Sequence, residues 1–313
     1  MKLFCAGADS LNFMWMVAMA DHPYMLTSYY NTVRGRDAQT YGRAYQKLMR
    51  MGAEWIMDSG LFTMMFGAEK GVKRTHDELE AYTHTYLDDM EAIGYQGTVV
   101  EMDVHKVLGL ESLAKLRAVF AKRWAPERTI FVWHLEEGET GWGDLVRQYP
   151  YVAISIPELR IICKGPKHIE TAVKSMIGKA RDIRPNVKIH LLGCTQPTLL
   201  MQPGFTTCDS TSWIAPGKFG RGFLFRSSGR LHTISTRQTE FQRLVNEKRP
   251  LYDARLRRLT DEGYQELTDA SKSYAFANAV QVSEMNKMNR WVNARHYSGE
   301  PVRSLWATER TAA

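Results

Sequence analysis

The chain is short of most of what would mark a secreted, membrane-bound or thiol-based protein. Its 313 residues include four cysteines, Cys5, Cys163, Cys194 and Cys208, far apart and with no CxxC pair. No signal peptide precedes them, so a disulfide framework is not expected and a reducing cytoplasm is the expected setting. Long apolar runs are missing too. The most hydrophobic stretch, Leu11–Ala20, is about ten residues long and broken by Asn12, well below the ~18 needed to span a bilayer, so no membrane anchor is expected. No HExxH, HxH or clustered Cys/His spacing occurs, so no metal is expected. No GxGxxG follows the first strand-like run, so a dinucleotide has no support, and no cofactor is expected. Low-complexity tracts are absent as well. With 44% hydrophobic and 24% charged residues, disorder and fibre are excluded.

Charge excess is confined to one place. The net charge is +7, yet Gly217 to Arg258 alone holds eleven Lys/Arg and three Asp/Glu, a local net of +8, which leaves the rest of the chain near neutral. Phe219, Phe223, Phe225 and His232 are interleaved with these basic residues. Such a block reads as a face that meets phosphates and stacks on bases; a solvated basic surface with no partner is the alternative.

Eight short, apolar, β-branched runs recur: Leu3–Ala6, Tyr24–Tyr29, Ala53–Met57, Thr98–Met102, Thr129–Trp133, Tyr151–Ile156, Val187–Leu192 and Phe205–Cys208. Helical periodicity lies between them, as in Tyr41, Ala44, Tyr45, Leu48 and Met51, and in Leu113, Leu116 and Phe120. Thr75-His76-Asp77-Glu78 reads as a capping box. This alternation predicts an α/β fold, a (β/α)8 TIM barrel, with a doubly wound open sheet as the alternative. The barrel is expected over 1–225. A basic, mainly helical C-terminal extension is expected over 226–313, loop-rich just after the last strand and helical from about Tyr252 to His296.

Catalytic groups of such a barrel gather where its strands end. The third ends in Met57-Asp58-Ser59-Gly60, the fourth in Glu101-Met102-Asp103-Val104-His105, the fifth in Trp133-His134-Leu135-Glu136, the seventh in His190-Leu191-Leu192-Gly193-Cys194 and the eighth in Thr207-Cys208-Asp209-Ser210. One aspartate after a strand is commonly a cap or turn residue. Several carboxylates at matching depth suit chemistry at an anomeric carbon, where one attacks C1′ and another handles the leaving-group proton. Trp213, close to Asp209, is either a stacking surface or core.

At these residues the chain resembles the tRNA-guanine transglycosylase superfamily, most closely its phage-type DNA 7-deazaguanine transglycosylase branch. Asp58-Ser59-Gly60-Leu61-Phe62 is similar to the DSGGF/Y-Q motif, and Val100-Glu101-Met102-Asp103 to the second acidic strand end. His190-Leu191-Leu192-Gly193-Cys194-Thr195-Gln196-Pro197 is similar to the LMGVG-x-P strand and turn. Cys208-Asp209-Ser210, followed by Gly217-Lys218-Phe219-Gly220-Arg221-Gly222, resembles the nucleophile segment. The match covers about residues 50–225. The zinc site of the tRNA enzymes has no counterpart, since no cysteine follows Cys208; His134 stands where the family has Gln, and Ile154-Ser155-Ile156-Pro157-Glu158 replaces its glycine-rich turn.

The resemblance implies an enzyme, a pentosyltransferase that exchanges guanine in DNA for a free 7-deazaguanine base, preQ0 or a relative, through a covalent glycosyl-aspartate. Asp209 is then the nucleophile and Asp58 the general acid/base. Asp103, His134, Ser155, Ile156 and Gly193 would bind the base, and Lys218, Arg221, Arg226 and Arg230 the nucleic acid. DNA and the free base are the expected partners, in the cytoplasm of the host cell if the gene is phage-borne. A tRNA-directed transglycosylase, a TIM-barrel glycoside hydrolase and a non-catalytic nucleic-acid-binding protein are the rival expectations.

Overall fold

The computed structural model describes residues 1–34, 38–68, 71–260, 269–297 and 301–307. Eight parallel strands close into a barrel in simple sequence order: β1 (Lys2–Ala6), β2 (Tyr24–Ser28), β3 (Glu54–Asp58), β4 (Thr98–Val100), β5 (Thr129–Trp133), β6 (Tyr151–Ser155), β7 (Lys188–Leu192) and β8 (Thr207–Ser210). β8 closes the ring against β1, with Asp209 opposite Phe4. These are the eight expected strands of a (β/α)8 barrel, β8 lying two residues further along the chain than its apolar run.

Helices on the outside join them: α1 (Leu11–Met19), α2 (Ala38–Arg50), α3 (Leu61–Thr63), α4 (His76–Ala92), α5 (His105–Arg123), α6 (Gly138–Gln148), α7 (Ile156–Ile162), α8 (Pro166–Ile183) and α9 (Pro197–Leu200). The capping box that starts α4 forms as expected: Thr75 Oγ1 accepts from the Glu78 amide, and Glu78 Oε2 accepts from the Thr75 amide at 2.8 Å. In α2 the residues buried against the barrel are Tyr41, Ala44, Tyr45 and Leu48, at helical spacing.

The two-residue period of a strand divides the apolar residues into two layers. Phe4, Ala6, Tyr24, Leu26, Ile56, Val100, Ile130, Val132, Tyr151 and Ala153 fill the inside of the barrel. Their neighbours, such as Leu3, Cys5, Trp55, Phe131, Ile154 and Cys208, pack outward against the helices. One step further along the inward-facing series come Ser28, Asp58, His134, Ser155 and, on β8, Asp209. The interior is apolar apart from His190 and Thr207, and its carboxyl end is polar.

Beyond β8 the chain forms α10 (Ala215–Phe219), then β9 (Arg221–Phe225) and β10 (Leu231–Ser235), α11 (Thr239–Thr260) and α12 (Asp269–His296). The extension is helical, as expected, but the segment expected to be loop-rich is an antiparallel hairpin that straddles residue 225. Part of the expected tail helix, residues 261–268, lies outside the described residues.

The free edge of β9, and α10 just before it, are met by side chains of α12 rather than by a strand. Asn278 Oδ1 accepts from the Gly217 amide, Gln281 bonds both backbone groups of Phe223, and Glu284 Oε2 accepts from the Phe225 amide. These residues recur at three-residue spacing on one helix face, as a neighbouring edge requires. Phe223 and Phe225, expected to be available to bases, are instead packed on the core beside α12, Phe225 against Trp291 at 5.6 Å.

Further on, α12 lies against α1 and β1 and takes the N-terminal amine on Asn293 Oδ1 at 2.6 Å. Residues 301–307 cross the opposite end of the barrel from the strand carboxyl ends. Val302 packs on the interior layer, and Asp21 accepts from Ser304 Oγ and the Leu305 amide. Among the described residues no helix is long and apolar enough to cross a membrane.

Candidate active site

Asp209 is the best-held carboxylate at the mouth. Its Oδ1 accepts from His190 Nε2 at 3.0 Å and from the Gly193 amide at 3.0 Å, and its backbone carbonyl accepts from the Cys194 amide at 2.8 Å. His190, fully buried on β7, has its Nδ1 2.7 Å from Thr207 Oγ1, which lies 2.6 Å from the Tyr151 hydroxyl. A carboxylate only accepts, so His190 carries its proton on Nε2, and Thr207 then donates to Nδ1 and accepts from Tyr151. One oxygen of Asp209 is thus fixed by two donors, leaving Oδ2 without either of them. Gly193 is in the left-handed region at φ +66, where its amide can turn to Asp209, and a Cβ there would press on Pro157 Cγ at 3.1 Å. His190 had been visible only as the start of a strand end. The clue to its role is its register beside Thr207, two residues before Asp209 on the same inward face.

Asp58 ends β3. Its Oδ1 accepts from the Gly60 amide at 2.7 Å, and two α4 tyrosines hold the flanking backbone, Tyr86 on the Met57 carbonyl and Tyr82 on the Ser59 carbonyl. Gly60 has φ +76, and a Cβ there would collide with Ser28 Oγ and Tyr30 Cβ. The glycine is what lets this turn tuck under the end of β2. Burial and repulsion from Asp103 push the Asp58 carboxyl up to about 7, against the Gly60 amide, with further repulsion from Asp9 and Asp209. Four carboxylates therefore sense one another around a single mouth. Asp9, in the loop after β1, was not singled out from sequence. It binds the Ser28 amide at 2.7 Å and Asn31 Nδ2 at 3.0 Å, and burial raises its pKa.

Asp103 faces two ways: Oδ1 is buried without a hydrogen-bond partner, yet 42% of the side chain is exposed to the mouth. Burial raises its pKa, opposed by His134. The neighbouring Glu101 is structural. Its carboxylate takes Arg117 Nε at 3.0 Å on both oxygens and the Val132 amide at 2.7 Å, tying the end of β4 to β5.

His134 is fully buried, its Nδ1 3.2 Å from Glu158 Oε1, its Nε2 3.6 Å from Asp103 Oδ1, and its ring stacked on His105. Burial opposes charge on His134, but the hydrogen bond to Glu158 and the Asp103 and Glu101 carboxylates outweigh it and raise its pKa. His105, by contrast, is lowered to about 4 by burial and by His134. The ligand-type atoms of His105, His134 and Glu158 lie within 4.8 Å of one another.

The remaining expected base contacts are placed differently. Ser155 Oγ accepts from the Glu158 amide and caps α7, and the Ile156 side chain is buried in the outer core. Trp213 is core: it is fully buried and donates to the Ala6 carbonyl at 2.7 Å.

Among the basic residues, Lys218 and Arg221 are exposed on α10 and at the start of β9, beside the end of β8, with Lys218 Nζ over the exposed Phe219 ring. Arg226 and Arg230 sit at the hairpin tip. The hairpin descends along α12: residue 223 meets Gln281, residue 225 meets Glu284, and Ser227 meets Trp291, close to the Asn293 that holds the chain start. At 1.5 Å per residue, the ten residues from Gln281 to Trp291 carry the tip at Ser227 about 15 Å further along α12 than Phe223. Arg226 is moreover paired with Glu240 at 3.0 Å. The structure thus separates the four expected phosphate contacts into a pair beside the end of β8 and a pair at the hairpin tip.

No family model matches the chain, and no curated protein matches it.

Proposed function

We propose that the chain is a DNA guanine transglycosylase, which exchanges guanine in DNA for a free 7-deazaguanine base such as preQ0. The observation that carries this reading is the pairing at one barrel mouth of two unlike carboxylates. Asp209 is held through one oxygen by His190 and the Gly193 amide, and burial with repulsion from Asp103 raises the Asp58 carboxyl to about 7. Two carboxyl groups in unlike environments, one to attack and one to handle the proton, are the requirement for double displacement at an anomeric carbon.

Asp209 Oδ2 attacks C1′ of the target deoxyguanosine. The C1′–N9 bond breaks, and guanine leaves with the proton of Asp58. A glycosyl ester of Asp209 and an ionised Asp58 remain. The incoming base then gives its N9 proton to Asp58 as N9 attacks C1′, the ester bond breaks, and both carboxyl groups return to their starting states. The exposed face of Asp103 suits the N1–H and exocyclic amine of guanine, two donors that adenine does not present together. Since C1′ is inaccessible in a duplex, the nucleotide must be unstacked, with Lys218 and Arg221 positioned for the flanking phosphates.

The test is release of labelled guanine from DNA or tRNA in the presence of preQ0. Release from DNA is expected. Release from tRNA alone would make the protein a tRNA-guanine transglycosylase, and release without incorporation would make it a hydrolase. Binding of DNA without release would leave a non-catalytic nucleic-acid-binding protein.

A further inference from the structure

A second constellation lies beside the reacting carboxylates, on the ends of β4, β5 and β6. His105 Nε2 and His134 Nδ1 approach the same oxygen, Glu158 Oε1, at 3.6 and 3.2 Å, and Glu136 Oε2 is 3.6 Å from His105 Nε2. Ligands bound at 2.0–2.1 Å around a tetrahedral ion are roughly 3.3 Å apart, and the two imidazole separations from Glu158 Oε1 are close to that spacing. An independent observation concerns unsatisfied atoms. Both nitrogens of His105, Nε2 of His134 and Oδ1 of Asp103 are buried with no hydrogen-bond partner, and the two imidazole side chains are only 4% and 1% exposed. Folded proteins rarely leave buried polar atoms unpaired, and four of them here belong to the two stacked imidazoles and the Asp103 beside them.

We propose that His105 Nε2, His134 Nδ1 and Glu158 Oε1 bind a divalent transition-metal ion of the zinc class, the open side of the shell being left to water. Two imidazoles with a carboxylate select such an ion over magnesium or calcium, which prefer all-oxygen shells. Ligation through Nδ1 leaves the His134 Nε2–H directed at Asp103 Oδ1, 3.6 Å away. A metal-bound histidine that donates its other N–H to a carboxylate is the usual outer-shell arrangement, and it fixes the orientation of both groups. His134 is then a positioning residue: the ion holds the ring, and the ring holds Asp103 at the edge of the base pocket. Lys106 Nζ lies 3.8 Å from the same Glu158 oxygen on a side chain 42% exposed, and it turns into solvent when the ion takes that oxygen. The absence of a spaced metal motif gave no hint of this site, because its ligands come from three different strand ends.

The proposal does not depend on the transglycosylase reading, since its readout is metal content. The full chain, purified from zinc-supplemented medium without chelators, is analysed for bound metal. It is then stripped with a chelator and titrated with Zn²⁺ against a chromophoric competitor. The expected result is about one equivalent of zinc per chain and a rise in Tm on reloading. His105→Gln and Glu158→Gln should each weaken binding by about 100-fold or more, and Asp103→Asn by about 10–100-fold. Each variant is compared with the stripped wild type by Tm, so that misfolding is distinguished from a lost ligand. A folded wild type that takes up no zinc from the competitor would overturn the proposal and leave a cluster of ion-paired histidines. So would His105→Gln binding zinc as well as wild type.

Discussion

Replacing Asp58 with asparagine should stabilise the protein at neutral pH while abolishing exchange. The carboxyl is moved from its ordinary value of 3.8 to about 7, chiefly by burial and by Asp103. Below about pH 4 the folded and unfolded chains both hold this proton, and the shift has no effect. Between about 4 and 7 the unfolded chain releases the proton and the folded chain keeps it, so stability falls as pH rises. Above 7 the loss is complete. At about 1.4 kcal/mol per pH unit, the upper value is about 4 kcal/mol. Asp58 is partly exposed, and solvent screening brings the expected loss to about 1–3 kcal/mol.

Asparagine removes this titration and keeps an oxygen for the Gly60 amide. For a chain of this size the gain corresponds to about 2–5 °C in Tm at pH 8. The assay is thermal unfolding of wild type and Asp58→Asn from pH 4 to 9. The Tm difference should grow as pH rises through 4 to 7 and then level off. A difference independent of pH, or a variant less stable than wild type at pH 8, would refute the reasoning.

His190→Leu removes a donor to a charged oxygen and leaves Thr207 without its acceptor. It should lower stability by about 2–4 kcal/mol and cut kcat about 10–100-fold with KM little changed; a pure KM effect would count against a role in aligning Asp209. Gly60→Ala forces a positive φ on a residue with a Cβ and drives that atom into Ser28 and Tyr30, so denaturant unfolding should show a loss of about 2–4 kcal/mol. Lys218→Ala with Arg221→Ala should weaken DNA binding and reduce the slope of log K against log salt by about 2. Arg226→Ala with Arg230→Ala, about 15 Å further down α12, should leave that slope nearly unchanged, and equal effects of the two pairs would contradict the division of the basic block.

The barrel could be read from the sequence because its cause is local: each strand is a short β-branched run, and Thr75 and Glu78 carry their own cap. The hairpin could not, since the edge of β9 is held by Gln281 and Glu284 from more than fifty residues away, and nothing in Arg221–Phe225 announces that partner. Asp58, Asp103 and Asp209, the carboxylates of the proposed reaction, are legible as strand-end residues. What positions them is not. His190 lies inside β7 and acquires meaning only through its register with Thr207 on β8. His105, His134 and Glu158 become neighbours only when three strand ends converge, and Trp213 looks as suited to a base as to the core until its indole is seen on the Ala6 carbonyl.

The central claim is that Asp209 forms a covalent bond to the sugar of a target deoxyguanosine. Incubating the protein with guanine-containing single-stranded DNA in the absence of an incoming base, quenching in acid and mapping the adduct by mass spectrometry tests this directly. The expected result is DNA attached to the peptide containing Asp209, absent in Asp209→Asn and released on addition of preQ0. An adduct that persists in Asp209→Asn, or base exchange with no adduct on that peptide, would contradict it.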